Sequence, residues 1–111
     1  MNATIYHNPR CSKSRAALAL LTQAGATVTV IDYLKTPPDA ETLGALFTRA
    51  GITARDALRT SEADAKALKG ADDAAILAAM AAHPILIERP IVATDKGVVI
   101  ARPPERLLDL L

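Results

Sequence analysis

Short apolar runs alternate with amphipathic ones along this chain, and the change of period between them separates strands from helices. Ala3-Thr4-Ile5-Tyr6-His7 is a brief apolar run stopped by Asn8-Pro9-Arg10, the pattern of a short buried strand over residues 3–7. From Ser12 to about Gln23 the apolar positions Ala17, Leu18 and Leu21 fall at helical spacing, and Gly25 supplies a stop. Thr27-Val28-Thr29-Val30-Ile31-Asp32-Tyr33 alternates and is rich in β-branched residues, so it reads as a second strand. A strand, helix and strand in that order predict a right-handed crossover between parallel strands. In such sheets the loops that do chemistry lie at the carboxyl ends of the strands.

Thr36-Pro37-Pro38-Asp39 reads as a capped helix start, with Thr36 as cap, Pro37 in the first turn and Asp39 completing a capping box. Leu43, Leu46, Phe47 and Ala50 form the buried stripe of that helix and Gly51 ends it. A shorter helix is predicted from Thr53 to Arg59, and the polar stretch from Thr60 to Ala71 predicts a marginal helix or an ordered loop. Asp72 or Asp73 caps a further helix, which buries Ile76, Leu77 and Met80 and stops before His83-Pro84. Ile91-Val92-Ala93 and Val98-Val99-Ile100 flank Thr94-Asp95-Lys96-Gly97, a hairpin in which Gly97 supplies a positive φ. Pro103 to Leu111 begins with prolines suited to a first turn and continues as an apolar stripe, which predicts a closing helix. The sum is one α/β domain over residues 1–111, a mixed four-stranded sheet flanked by helices, with a helical insertion at about 37–83.

Composition narrows the function classes. A chain of 111 residues supports one modest hydrophobic core. Its 13 basic and 12 acidic residues leave a net charge of +1, which offers no footprint for nucleic acid or an anionic membrane surface. No apolar run approaches the ~20 residues needed to span a bilayer. The single cysteine closes no intrachain disulfide, and Met1-Asn2-Ala3-Thr4 has neither a basic nor a long apolar leader region, so a cytoplasmic protein is expected. One Cys and two distant His residues cannot fill a structural zinc shell, so no metal is expected.

The chemistry concentrates at that cysteine. Cys11 stands where the first strand gives way to the first helix, beside Arg10, Lys13 and Arg15. Unpaired N–H groups at a helix start carry partial positive charge, and with the neighbouring cations they favour thiolate over thiol. The same groups can cradle an oxyanion. A lone cysteine is otherwise a small buried hydrophobe, but Pro9, Arg10, Ser12, Lys13 and Ser14 are poor company for that role. Ser14 completes a C-x-x-S motif and places a hydroxyl one turn from the sulfur, within reach of a hydrogen bond to it. Because Ser14 cannot resolve a disulfide, a covalent product on Cys11 needs a thiol from outside. His7 can tune the thiol or simply satisfy the strand end. Arg59, Arg89 before Pro90, and Arg102 before Pro103 can each offer a planar fork to a tetrahedral oxyanion, the alternative being a solvated surface arginine.

Four segments carry a resemblance: His7-Asn8-Pro9-Arg10-Cys11-Ser12-Lys13-Ser14-Arg15, Tyr33-Leu34-Lys35-Thr36-Pro37-Pro38, His83-Pro84-Ile85-Leu86-Ile87-Glu88-Arg89-Pro90-Ile91-Val92 and Arg102-Pro103-Pro104-Glu105. In this order they resemble the glutaredoxin-coupled arsenate reductase family, in a short form that ends soon after Arg102. The resemblance implies a thioredoxin-like fold with a helical insertion, and a cis Pro90 facing the active loop. It implies Cys11 as nucleophile, Ser14 and His7 as groups that activate the thiol, and Arg59, Arg89 and Arg102 as the oxyanion's ligands, with Arg15 and Pro90 in support. It also implies arsenate, or a related small oxyanion, as substrate, glutathione as external reductant with no bound cofactor, and glutaredoxin as partner. Two alternatives stand beside it: a glutathione-linked thiol oxidoreductase of another substrate, and a non-catalytic redox regulator that binds RNA polymerase. Such regulators commonly bear C-x-x-C, where this chain has Ser14.

Overall fold

The first apolar run becomes β1, Asn2–His7, and it lies inside a sheet rather than at its edge. In this computed structural model, which describes residues 1–111, β2, Thr27–Asp32, pairs with β1 in parallel, from Asn2 opposite Thr27 to His7 opposite Asp32. On the other side β3, Ile91–Thr94, runs antiparallel to β1, and β4, Gly97–Ile100, antiparallel to β3. The result is the mixed four-stranded sheet predicted, and its strand order is β2-β1-β3-β4. Gly97 closes the hairpin at φ 151°, a backbone angle that a side chain would resist.

The chain separates into two units, residues 1–36 with 89–111, and residues 37–88. In the first, α1, Ser12–Gln23, covers the sheet with the face on which Ser14, Ala17 and Leu21 are buried. Ala3, Ile5, Ala17, Leu21, Val92, Ala101, Leu107 and Leu110 form one core. Each fully buried side chain of Leu or Ile size contributes ~1.5–3 kcal/mol by leaving water. β2 departs from the alternation in its sequence: it is an edge strand, and Val30 is 48% exposed. The closing segment is helical but tighter than an α-helix, a 3-10 turn over Pro104–Leu110. Its buried residues Pro104, Leu107 and Leu110 recur every third position, which is the 3-10 period.

In the second unit α2, Ala40–Ala50, and α3, Asp73–Ala82, pack together and bury Leu43, Leu46 and Phe47 on one and Ile76 and Met80 on the other. Asp39, not Thr36, caps α2: its Oδ1 accepts from Thr42 N–H at 2.8 Å. Each proline disfavours helical backbone in the residue before it, so Pro37 and Pro38 delay the helix, and Thr36 instead donates its N–H to Asp32 at 2.8 Å. Asp72 caps α3 in the same way, accepting from Ala75 N–H at 2.9 Å. Gly51 ends α2 at φ 70°.

The helix predicted for Thr53 to Arg59 is a single turn. Thr53 and Asp56 cap it reciprocally, at 3.0 and 3.2 Å, but Leu58 is already extended and bridges Ile87. Arg59 N–H donates to Leu86 O at 2.7 Å and Glu88 N–H to Ala57 O at 2.8 Å, so pairing with a distant segment overrides local helix propensity. The polar stretch after it holds a 3-10 helix, Ala63–Leu68. Arg55 secures its end by donating to the carbonyls of Leu68 at 3.1 Å and Ala71 at 2.5 Å. No helix in the chain is long and apolar enough to cross a membrane.

Candidate active site

The register of the sheet gathers distant segments at one end. Tyr6 lies opposite Ile91 and Ile91 opposite Ile100, so the exit of β1, the approach to β3 and the exit of β4 share that end. Arg89-Pro90 precedes β3 and Ala101-Arg102 follows β4, and the Cys11 loop follows β1. The peptide between Arg89 and Pro90 is cis, as is that between Arg102 and Pro103, which the sequence did not announce. Pro90 is fully buried.

From His7 the chain turns sharply. Cys11 N–H donates to Asn8 O at 3.0 Å, closing a turn over Pro9 and Arg10, and Arg10 N–H donates to Asn8 Oδ1 at 3.0 Å. Asx turns of this kind substitute side-chain oxygen for backbone and fix the chain's direction. Arg15, from the first turn of α1, clamps the loop by donating to Pro9 O at 2.9 Å. Cys11 is thereby the N-cap residue of α1, extended at φ −96°, with no acidic side chain in the first turn to answer the helix dipole.

The half-buried thiol is held below its ordinary acidity range. Burial opposes the charged form, and it is outweighed by the amide N–H groups of Ser14 and Lys13 together with the Arg89 guanidinium. Its sulfur makes no capping hydrogen bond of strict geometry, but a thiolate is large and feels converging donors at longer range. Arg102 Nη1 lies 3.9 Å from Sγ, and the same nitrogen donates to Arg89 O at 3.2 Å, tying the two arginine segments together.

Ser14 acts differently from the expectation that its hydroxyl would bond the sulfur. The hydroxyl is fully buried, 2.6 Å from His7 Nδ1, and accepts from Asn8 N–H at 3.0 Å. Its oxygen thus serves the β1 exit, and it is the backbone N–H of Ser14 that favours the thiolate. Burial lowers the His7 pKa, partly offset by Asp32 and reinforced by Arg15, so neutral imidazole is the favoured partner of that hydroxyl.

Of the residues singled out in the sequence, His7, Cys11, Ser14, Arg15, Arg89, Pro90 and Arg102 therefore belong to the first unit. Arg59 belongs to the second, where Nη1 pairs with Glu62 Oε1 at 3.3 Å while Nε is buried without a hydrogen-bond partner. No group of three or more His, Cys, Asp or Glu side chains is placed to hold a metal ion. Sequence reasoning passed over Asn8 and Tyr33. The Asn8 amide nitrogen lies 3.5 Å from the Tyr33 hydroxyl, and both side chains are buried. The signal for Asn8 was its place before proline at a strand end, where Asx turns are common.

Comparison with known proteins shows which family and fold the chain shares. The ArsC family model matches residues 6–110. The chain is 44% identical over 115 residues to an arsenate reductase of Rhizobium meliloti (strain 1021), covering 100% of this chain and 82% of that protein. It is 44% identical over 108 residues to an arsenate reductase of Neisseria meningitidis serogroup A / serotype 4A, covering 93% of this chain and 92% of the other. Among solved structures, an arsenate reductase from Vibrio cholerae superposes with a TM-score of 0.94 at 45% identity, covering 100% of this chain and 98% of that one.

Proposed function

The chain belongs to the ArsC family, and from that membership and the state of its thiol we propose that it reduces arsenate to arsenite with glutathione and glutaredoxin. The observation that carries the reading is Cys11: a thiol of lowered pKa at a helix start, with Arg89 and Arg102 beside it. A thiolate there attacks arsenic(V), and one arsenate oxygen takes up protons and leaves as water, giving a Cys11 thioarsenate. Arg89 and Arg102 neutralise the anion, and donors aimed at developing charge are worth most where water is excluded.

Glutathione thiolate then attacks the Cys11 sulfur. The electron pair of the sulfur–arsenic bond stays on arsenic, which leaves as arsenite, and Cys11 is left in a mixed disulfide with glutathione. A glutaredoxin thiol takes the glutathionyl group and returns Cys11 as thiolate. The outside thiols supply both electrons, as a chain with one cysteine requires. Ser14 gives this loop no second thiol with which to act as a dithiol switch, which favours the enzyme over a redox regulator.

The test is a coupled assay with glutathione, glutaredoxin and glutathione reductase. Arsenate should drive NADPH oxidation, and Cys11→Ser should abolish it. Undiminished turnover in Cys11→Ser would overturn the nucleophile. An unresponsive wild-type protein whose Cys11 still alkylates readily would overturn the substrate and leave the thiol assignment intact.

A further inference from the structure

We propose that Asn8 is the positioning residue of the reacting thiol, its four polar groups locking the loop so that the Lys13 and Ser14 amides face the Cys11 sulfur. The role rests on Cys11 being the reacting group, as proposed above.

All four groups are engaged, and they reach four different parts of the site. The backbone carbonyl accepts from Cys11 N–H at 3.0 Å and so sets where the cysteine begins α1. The backbone N–H donates to Ser14 Oγ at 3.0 Å, the same oxygen that lies 2.6 Å from His7 Nδ1. The side-chain oxygen accepts from Arg10 N–H at 3.0 Å, and the side-chain nitrogen reaches toward the Tyr33 hydroxyl at 3.5 Å. Asn8 is itself 8% exposed and Tyr33 1%, so the tether is anchored in the interior and not in solvent. Tyr33 follows β2 directly, and β2 pairs with β1 to the level of His7 and Asp32. The loop is therefore fastened at its base twice, by the sheet and through Asn8 to the buried Tyr33.

An amide is the side chain that fits. It must accept from Arg10 N–H and donate toward a hydroxyl at once, which neither Ala nor Ser does through two separate atoms. Aspartate supplies acceptors and adds a negative charge near a thiolate, which disfavours the anion. A role confined to stability would lower the melting temperature of an Asn8 variant and leave the acidity of Cys11 alone. A positioning role moves that acidity, because the backbone donors that favour the anion swing off the sulfur.

The experiment is the rate of iodoacetamide alkylation of Cys11 in the full chain, followed against pH. It needs neither arsenate nor glutathione, so it stands whether or not the substrate assignment does. Asn8→Ala should raise the midpoint by about one pH unit, with correspondingly slower alkylation near neutrality. Asn8→Asp should raise it further, and Tyr33→Phe, which removes one hydroxyl, should raise it less. A wild-type midpoint in Asn8→Ala overturns the proposal. If that variant fails to fold, an unshifted midpoint in folded Tyr33→Phe does so in its place.

Discussion

In residues 1–36 with 89–111 the backbone is held by ladders between segments far apart in sequence, whereas in residues 37–88 most of the organising bonds are local. β1 is paired on both sides, to β2 and to β3, and one core threads through the sheet, α1 and the closing 3-10 turn. The second unit is organised by Asp39 and Asp72 at helix starts, Gly51 at a helix end and the Thr53–Asp56 turn, with the Leu58–Ile87 bridge as its one strand-like pairing. The difference teaches where precision comes from. A ladder fixes register, so Arg89 before β3 and Arg102 after β4 come to the β1 exit without depending on any loop's own preference. Caps and turns fix only where helices begin and end.

The sharpest way to break that contrast is to open a cavity in each unit. Ile5 and Ile76 are both fully buried, and replacing either by Ala should cost about 2–5 kcal/mol in urea unfolding. Only Ile5→Ala should also raise the pH at which Cys11 alkylates, because it loosens the strand that carries the thiol loop. Ser14, Lys13 and Arg89, the groups that lower the thiol pKa, all lie in the first unit. An equal rise in Ile76→Ala would erase the distinction. A milder effect is expected of Asp72→Ala, which removes the cap from Ala75 N–H and should cost about 1 kcal/mol. Asp72→Asn should restore most of it, with alkylation of Cys11 unchanged in both.

The same contrast explains what could be read from the sequence. Period-two and helical runs are local properties, so all four strands, α1 and α3 were legible within a residue or two, as was the mixed sheet of this thioredoxin-like fold. Errors fell where a distant partner or a proline decided. Leu58 is drawn into an extended bridge by Ile87, and Pro37 and Pro38 move the cap from Thr36 to Asp39. At the site, Cys11 was legible because a helix start and neighbouring cations are encoded within five residues. The fork-bearing Arg89 and Arg102 were visible only as arginines before prolines, since what makes them neighbours of the sulfur is register. Ser14 was placed by spacing but not by bonding: helical geometry puts it near the sulfur, and only the buried His7 explains why its hydroxyl turns away. Asn8 was not legible at all as a hub, because Asn before Pro commonly marks an ordinary turn.

The two units should also differ in how acid weakens them, and here the expected effect is the smallest. His7 has its pKa lowered by burial from an ordinary 6.5, so its charged form is penalised in the folded chain. The unfolded chain then binds more protons at pH values between the folded and unfolded pKa, and stability rises with pH in that interval. The contribution of His7 is therefore complete above about pH 6.5 and is lost as pH falls from there through the folded value. Asp39 and Asp56, in the second unit, have pKa values lowered from 3.8 by the bonds they accept from Thr42 and Thr53. Their contribution is present above the unfolded value and is lost only as pH falls below it. Urea midpoints should consequently begin to drop near pH 6.5 in the wild-type chain and not until about pH 4 in His7→Asn, whose amide can still meet the Ser14 hydroxyl. Parallel curves for the two proteins between pH 7 and 5 would remove His7 as the group through which mild acid reaches the thiol loop.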